Sequence, residues 1–351
     1  MSEAGMSFLK CAFASADFSV DPGKGIPDCY NGRTVSIKDC FTTNITFAEG
    51  DTYLVIAPVP GYAYFQTNVA AGVRPTNLLG TPFPTYTQNF GNTTGTDATA
   101  EMATNSFAAY RYASQAVGIY PTSNYMQFAG SVSVWHADLT LGINYASVAP
   151  TTTPPAAIDV NYHVISGLQS VNPLVPRDSY NESFIKGAYS IATDMTGEFE
   201  WHDFKYGRIF STTVGTIPEH ISLVEQDAAH ALTGLGNTCS IIIKVSTPAG
   251  AVNSALVRVW NCMELKPRTD SALFQFSGVS PAHDQAALEM YRMVKNRIPV
   301  AVPASENSFS WERVLKIIQD ISSAVAFIPG PIGAIGSGVG AIANGISQLV
   351  L

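Results

Sequence analysis

The sequence predicts a mainly β protein, a sandwich or jelly roll, on three observations. Strand-like runs recur between residues 52 and 265 without intervening amphipathic helices. Long connections rich in Thr, Pro, Gly and Asn separate them. Charged residues make up 13% of the chain, against roughly 25% in average soluble proteins. Aromatic residues, at 11%, join Thr, Ser, Asn, Gly and Pro in filling the gap, a mixture that also fits surfaces buried between subunits.

Taken in order, residues 8–14 form a compact apolar helical segment ahead of Asp17. Strands are expected at 52–57, 62–69, 126–141, 158–165 and 239–245. The clearest is 255–265, where Val257, Val259, Met263 and Leu265 alternate with Arg258 and Glu264. Residues 72–104 and 149–155 read as long loops, which usually carry function or subunit contacts. A helical pattern returns over 282–298, with Ala286, Leu288, Met290, Met293 and Val294 set among charged residues, and Pro299 stops it.

Several classes are excluded. A net charge of −8 with no Lys/Arg run argues against nucleic-acid binding as the dominant activity. The five cysteines contain no CxxC pair and read as reduced thiols of an intracellular protein. The first residues lack the basic and apolar regions of a signal peptide, so the sequons at Asn44, Asn92 and Asn181 are expected to stay unused. The six histidines lack metal spacing, and there is no HExxH, nucleophile elbow or pepsin-type Asp-Thr-Gly pair.

The last 44 residues, Ser308 to Leu351, carry only four charged side chains, Glu312, Arg313, Lys316 and Asp320. Trp311, Val314, Leu315, Ile318, Ile321 and Val325 recur at helical spacing and make one apolar face. Glu312, Lys316 and Asp320 line the opposite face, with Ser308 or Ser310 as a cap. The prolines at 329 and 331 end the helix before ~20 apolar residues accumulate, so a spanning helix is not expected. A peptide lying in a membrane interface fits the pattern, and so does a helix packed on its parent domain.

Immediately before this segment lies Asn307-Ser308. An Asn side-chain amide can attack its own backbone carbonyl, close a cyclic imide and expel the next residue's amine. A carboxyl group among apolar side chains can move the protons, and Asp17, at the edge of the N-terminal apolar stretch, is a candidate.

Segments along the whole chain carry a family resemblance. They include residues 8–14 (Phe-Leu-Lys-Cys-Ala-Phe-Ala), 21–28 (Asp-Pro-Gly-Lys-Gly-Ile-Pro-Asp) and 118–124 (Gly-Ile-Tyr-Pro-Thr-Ser-Asn). Residues 182–187, 250–255, 273–276 and 328–331 add to them. The chain resembles the capsid proteins of the insect nodaviruses (alphanodaviruses). The resemblance implies a T=3 icosahedral shell, a homo-oligomer of an eight-stranded jelly roll with an outer elaboration and an inner helical cluster from both chain ends. The implied layout is an inner N-terminal helical segment over 1–29 and a jelly-roll shell domain over 30–280. An inner helix and cleavage segment follows over 281–307, then a membrane-active peptide over 308–351.

The resemblance further implies a single-turnover self-cleavage between Asn307 and Ser308 after assembly, promoted by Asp17, with the released peptide breaching a host membrane. It places the protein in the virion, and in the host cytoplasm during assembly, with the host receptor left open. Family calcium sites between subunits map to Glu198, Glu200 and Asn105, and the alternate spacing of the first two puts both carboxylates on one side of a strand. Asn105 and Gln169 depart from the carboxylates expected there, and Glu198/Glu200 also reads as an ordinary exposed pair. The family's Arg-rich N-terminal arm is missing from this sequence, so RNA binding is expected to be weak or absent. A glycan-binding β-sandwich is the alternative from a different class, separable by particle formation.

Overall fold

The computed structural model describes residues 1–17, 25–83, 107–122, 128–145, 160–166, 175–203, 222–225, 238–304 and 311–326. The chain opens with helix α1 (Glu3–Phe13). Strands β1 (Arg33–Phe47), β2 (Gly50–Ile56), β3 (Tyr62–Val69), β4 (Asn77–Pro82), β5 (Phe107–Pro121), β6 (Ser131–Ala137) and β7 (Thr140–Tyr145) follow. Next come β8 (Val160–Ser166), β9 (Tyr180–Ser183), β10 (Ala188–Ala192), β11 (His202–Asp203), β12 (Ser222–Glu225), β13 (Ser240–Thr247) and β14 (Asn253–Pro267). Helix α2 (Leu273–Phe276), strand β15 (Gly278–Val279), helix α3 (Gln285–Lys295) and helix α4 (Trp311–Ala326) complete the described elements.

Two antiparallel sheets give the expected jelly roll. The first runs β10-β5-β14-β1 and the second contains β2-β13-β6-β9, so the eight strands cross between sheets at every step except β6 to β9, which is the jelly-roll order. Long registers hold them, such as Val35 opposite Leu265 through Phe47 opposite Asn253. Strands β3, β4 and β12 widen the second sheet beyond β2. The β7–β8 hairpin is inserted between β6 and β9.

Residues 126–141, expected as one strand, hold β6 and the start of β7 within their described part. The expected loop 72–104 contains β4, paired in parallel with β12. Six residues show too little alternation to announce a strand whose partner is far away in sequence.

An interior apolar cluster between the sheets includes Phe47, Leu54, Val117, Ile119, Val134, Ile243, Val257 and Leu265. A second cluster lies on the opposite face of the first sheet, where α1, α3 and α4 cover Ala116, Tyr189, Trp260 and Cys262. This explains a failed alternation. Along β14 the even positions are part-buried or exposed up to Arg258, whereas Trp260, Cys262 and Glu264 are all buried. Glu264, expected on a solvated face, is 1% exposed.

Candidate functional site

Helix α1 begins where the Ser2 hydroxyl accepts from the Gly5 N–H at 3.0 Å. It buries Phe8, Leu9, Cys11, Ala12 and Phe13 against α3 and the first sheet. Phe8, Phe13, Phe199 and Tyr291 form an aromatic knot, with ring centroids 4.8 Å apart for Phe199–Tyr291 and 5.1 Å for Phe13–Tyr291. A turn after α1, in which the Asp17 N–H donates to the Ala14 carbonyl at 3.1 Å, brings the chain to Asp17. Asp17 is exposed in the single protomer rather than buried among apolar groups, because it lies beyond the helical face that packs.

Tyr189 of β10 connects this turn to a distant part of the chain. Its backbone exchanges hydrogen bonds with Val302, at 2.8 Å from the Tyr189 N–H and 2.9 Å from the Val302 N–H. Its ring packs in the same apolar cluster as Ala16, and its buried hydroxyl lies in the field of Asp17. Burial above all, then Tyr120 and Asp17, raise the Tyr189 phenol above its ordinary range. Tyr120 is raised too, first by burial, with Asp17 a smaller contributor. The turn that carries Asp17 therefore shares one region with Tyr120, Tyr189 and Val302, and Ala16 packs on the same cluster, although residues 17 and 302 are almost a chain length apart.

Asn307 is five residues beyond Val302, a reach of at most about 18 Å. Asn307 and Ser308 lie outside the described residues, as do Asn105 and Gln169. Beyond the gap, α4 buries Val314, Leu315 and Ile318 in the cluster that contains Tyr189 and Val302. Glu312, Lys316 and Asp320 face solvent, as expected. The side chains of Trp311, Ile321 and Val325 lie outside the described set. Val302 and Val314 thus tether both flanks of the 305–310 segment to one apolar cluster. No described helix is long and apolar enough to cross a membrane.

Of the candidate metal residues, Glu198 and Glu200 lie in a bend and the irregular chain after it, not in the strand expected from their spacing. Glu198 and Glu200 are exposed on either side of Phe199, which is 2% exposed and adopts φ 50°. The aromatic knot holds Phe199 in that left-handed conformation, which an unsupported residue of this kind avoids. Arg292 of α3 ion-pairs with Glu198 at 3.0 Å, and the Lys295 ammonium donates to the Met195 carbonyl at 2.9 Å. No group of three His, Cys, Asp or Glu side chains placed for a metal occurs among the described residues.

Arg111 anchors the same bend from below. It is 1% exposed and ion-pairs with Glu264 at 2.7 Å and with Asp28. Its guanidinium lies 4.2 Å from the centre of the Trp201 ring and donates to the Phe199 carbonyl. Glu264 also accepts from the Ile26 N–H at 3.2 Å and the Ser280 hydroxyl at 3.3 Å. Residues 26–28, 199–201 and β14 are locked together by this one buried cation.

A family model described as Peptidase A6 family matches residues 1–348. The chain belongs to the Peptidase A6 family. It is 50% identical to capsid protein alpha of Pariacoto virus over 345 residues, covering 97% of this chain and 85% of that protein. Capsid protein alpha of Flock house virus is 41% identical, covering 99% of this chain and 84% of that protein. Among solved structures, one of infectious bursal virus derived T=1 particles aligns at TM-score 0.45 and 10% identity, covering 93% of this chain and 98% of that one. The jelly roll rests on the strand order itself.

Sequence reasoning missed Tyr189, Ser190, His136 and the Arg111–Glu264–Asp28 cluster. The available signal was weak: Arg111 is a lone cation in the apolar-aromatic run of β5, and His136 ends an otherwise uncharged strand. Both features are readable only in hindsight of what covers them.

Proposed function

We propose that this Peptidase A6 chain is the precursor of a T=3 icosahedral, non-enveloped virus shell and cuts itself once, between Asn307 and Ser308. The observation that supports the reading best is Tyr189, which bonds the strand-like segment leading to Asn307 and shares one apolar cluster with the residue before Asp17.

In this reading the Asn307 side-chain nitrogen attacks the Asn307 carbonyl carbon. A C–N bond forms to a cyclic imide as the bond to Ser308 breaks, and water later opens the imide. The attacking amide gives up a proton and the departing Ser308 amine gains one, with Asp17 as the carrier. Exposure of Asp17 in the lone protomer accounts for a cut that waits for assembly. A neighbouring subunit that covers the carboxyl desolvates it, in the direction that makes a carboxylic acid useful near neutrality.

The C-terminal product begins at Ser308 and carries α4. Its apolar face is docked in the protomer, which suits a peptide stored first and presented to a membrane later. The two readings of this helix, packed and membrane-active, then describe successive states. The assembled protein resides in the virion. The acidic balance of these residues, −8, goes with weak RNA binding.

Calcium between subunits fits only in part. Glu198 and Glu200 offer hard oxygen ligands, but Arg292 already holds Glu198, so further oxygens would come from a neighbouring subunit.

Intact mass before and after assembly tests the reading. A fragment corresponding to residues 308–351 is expected only after particles form, and neither Asp17→Asn nor Asn307→Ala should release it. Normal cleavage in either variant sinks the assigned roles. Dye release from anionic vesicles by cleaved particles, absent with intact Asn307→Ala particles, ties lysis to release.

A further inference from the structure

We propose that Ser190, aimed by His136, is the positioning residue that sets the register of the scissile segment on β10. The inference rests on the cleavage reading above. Ser190 is 2% exposed, and its hydroxyl donates to the Val300 carbonyl at 2.6 Å. The same oxygen lies 2.9 Å from His136 Nε2 on β6. Since the Ser190 proton is committed to Val300, the ring nitrogen is the donor, which defines the Nε2–H tautomer. The ring stays neutral, because burial pushes the His136 pKa down to about 4.

The relay therefore runs from the second sheet, through a hydroxyl on the first, to a carbonyl of the segment that leads to Asn307. The backbone alone holds that segment weakly. Tyr189 and Val302 form an isolated bridge, and a one-pair ladder can slip. A slip of one residue displaces everything downstream by about 3.3 Å and inverts which face each side chain presents. Imide formation needs reacting atoms held about 3–3.5 Å apart, so such a slip would take Asn307 out of reach of Asp17 chemistry.

The Ser190–Val300 bond lies two residues from the bridge and can form in only one register. Gly187 allows the segment to approach. It has φ 59°, and a β-carbon there would press on Ile119, Pro121 and Ala304. Neither Ser190 nor His136 touches the reacting atoms in this account, so both act through the position of Val300.

The test uses the full-length chain assembled into particles, with the 308–351 fragment followed by intact mass over time. Ser190→Ala and His136→Leu should slow cleavage by about tenfold or more, as expected for misplacement near 1 Å. Ser190→Thr keeps the hydroxyl and His136→Gln keeps a side-chain donor, and both should run near the parent rate. Parent-like cleavage in Ser190→Ala overturns the inference, as does failure of Ser190→Thr to restore the rate.

Amide hydrogen exchange over residues 300–304 in unassembled protein supplies a readout that needs no particles. Faster exchange there in Ser190→Ala, with the sheets still protected, supports the proposal, and unchanged exchange rejects it. A parent protein that never releases a fragment starting at Ser308 defeats the cleavage reading first. Normal parent cleavage with an unaffected Ser190→Ala defeats this inference alone.

Discussion

The two faces of the first sheet are built differently. Its inner face, toward the second sheet, packs Val117, Ile119, Val257, Val259 and Leu265 into a largely apolar cluster that any jelly roll of this size requires. Its other face packs Ala116, Trp260 and Cys262 under the helices, and there the chain also buries Arg111, Glu264 and Ser114, whereas the Ser190–His136 pair is a polar exception on the inner face. Interior apolar packing is tolerant of substitution that conserves volume. Buried polar groups need particular partners, so the helical face specifies contacts that the interior leaves generic. Ala16, Tyr120, Tyr189 and Val302 belong to that second face.

Four outcomes sharpen the contrast, beginning with the largest. Asn307→Ala should abolish the fragment altogether, while Leu265→Ala particles that still assemble should cleave at the parent rate; intact mass time courses decide. Next, Arg111→Ala should cost about 3–5 kcal/mol in denaturant unfolding, because it strands Glu264 as an uncompensated buried charge. Replacing Arg111 and Glu264 together by methionine should cost clearly less than the two single changes summed. A double-mutant cycle with simple additivity would show that the ion pair does not organise this face. Leu265→Ala, on the interior face, should lose about 2–5 kcal/mol through transfer and cavity terms alone.

The third outcome is a pH dependence. His136 titrates at about 4 when folded, against an ordinary 6.5. The unfolded chain therefore binds its proton first, so stability is complete above pH 6.5 and falls as pH drops toward 4. The melting temperature of His136→Gln should fall less than that of the parent across this window; parallel curves would remove His136 as the cause. The smallest effect belongs to the exposed bend. Glu198→Gln breaks an ion pair whose side chains are 40% and 63% exposed, and should change stability by less than about 1 kcal/mol. A larger loss in thermal melts would mean the pair is more than a surface contact.

Much of this molecule was legible locally. The alternation from Val257 to Val259, the run 62–69 and the amphipathic pattern of 285–295 are periodicities of 2.0 and 3.6, which neighbouring residues reveal without any partner. Strands β1 and β5, fifteen residues each, were not among the runs expected. β5 is buried almost throughout and β1 is mostly part-buried or exposed, so neither shows a clear alternation of apolar and polar positions. The spacing of Glu198 and Glu200 gave the right common exposure for the wrong reason, since a knotted bend rather than a strand turns Phe199 inward.

The sequence by itself determined the β class, the helices at 3–13 and 285–295, the amphipathic C-terminal helix and the segments that carry the family resemblance. Tertiary structure alone decided that β14 is covered on both faces beyond Val259, that Arg111 and Glu264 meet in the interior, and that Tyr189 joins the Asp17 turn to Val302. The physical reason is range. A period is written within a few residues, whereas a shared hydrogen bond between residues a whole chain apart exists only after the sheet has brought both ends to the same strand.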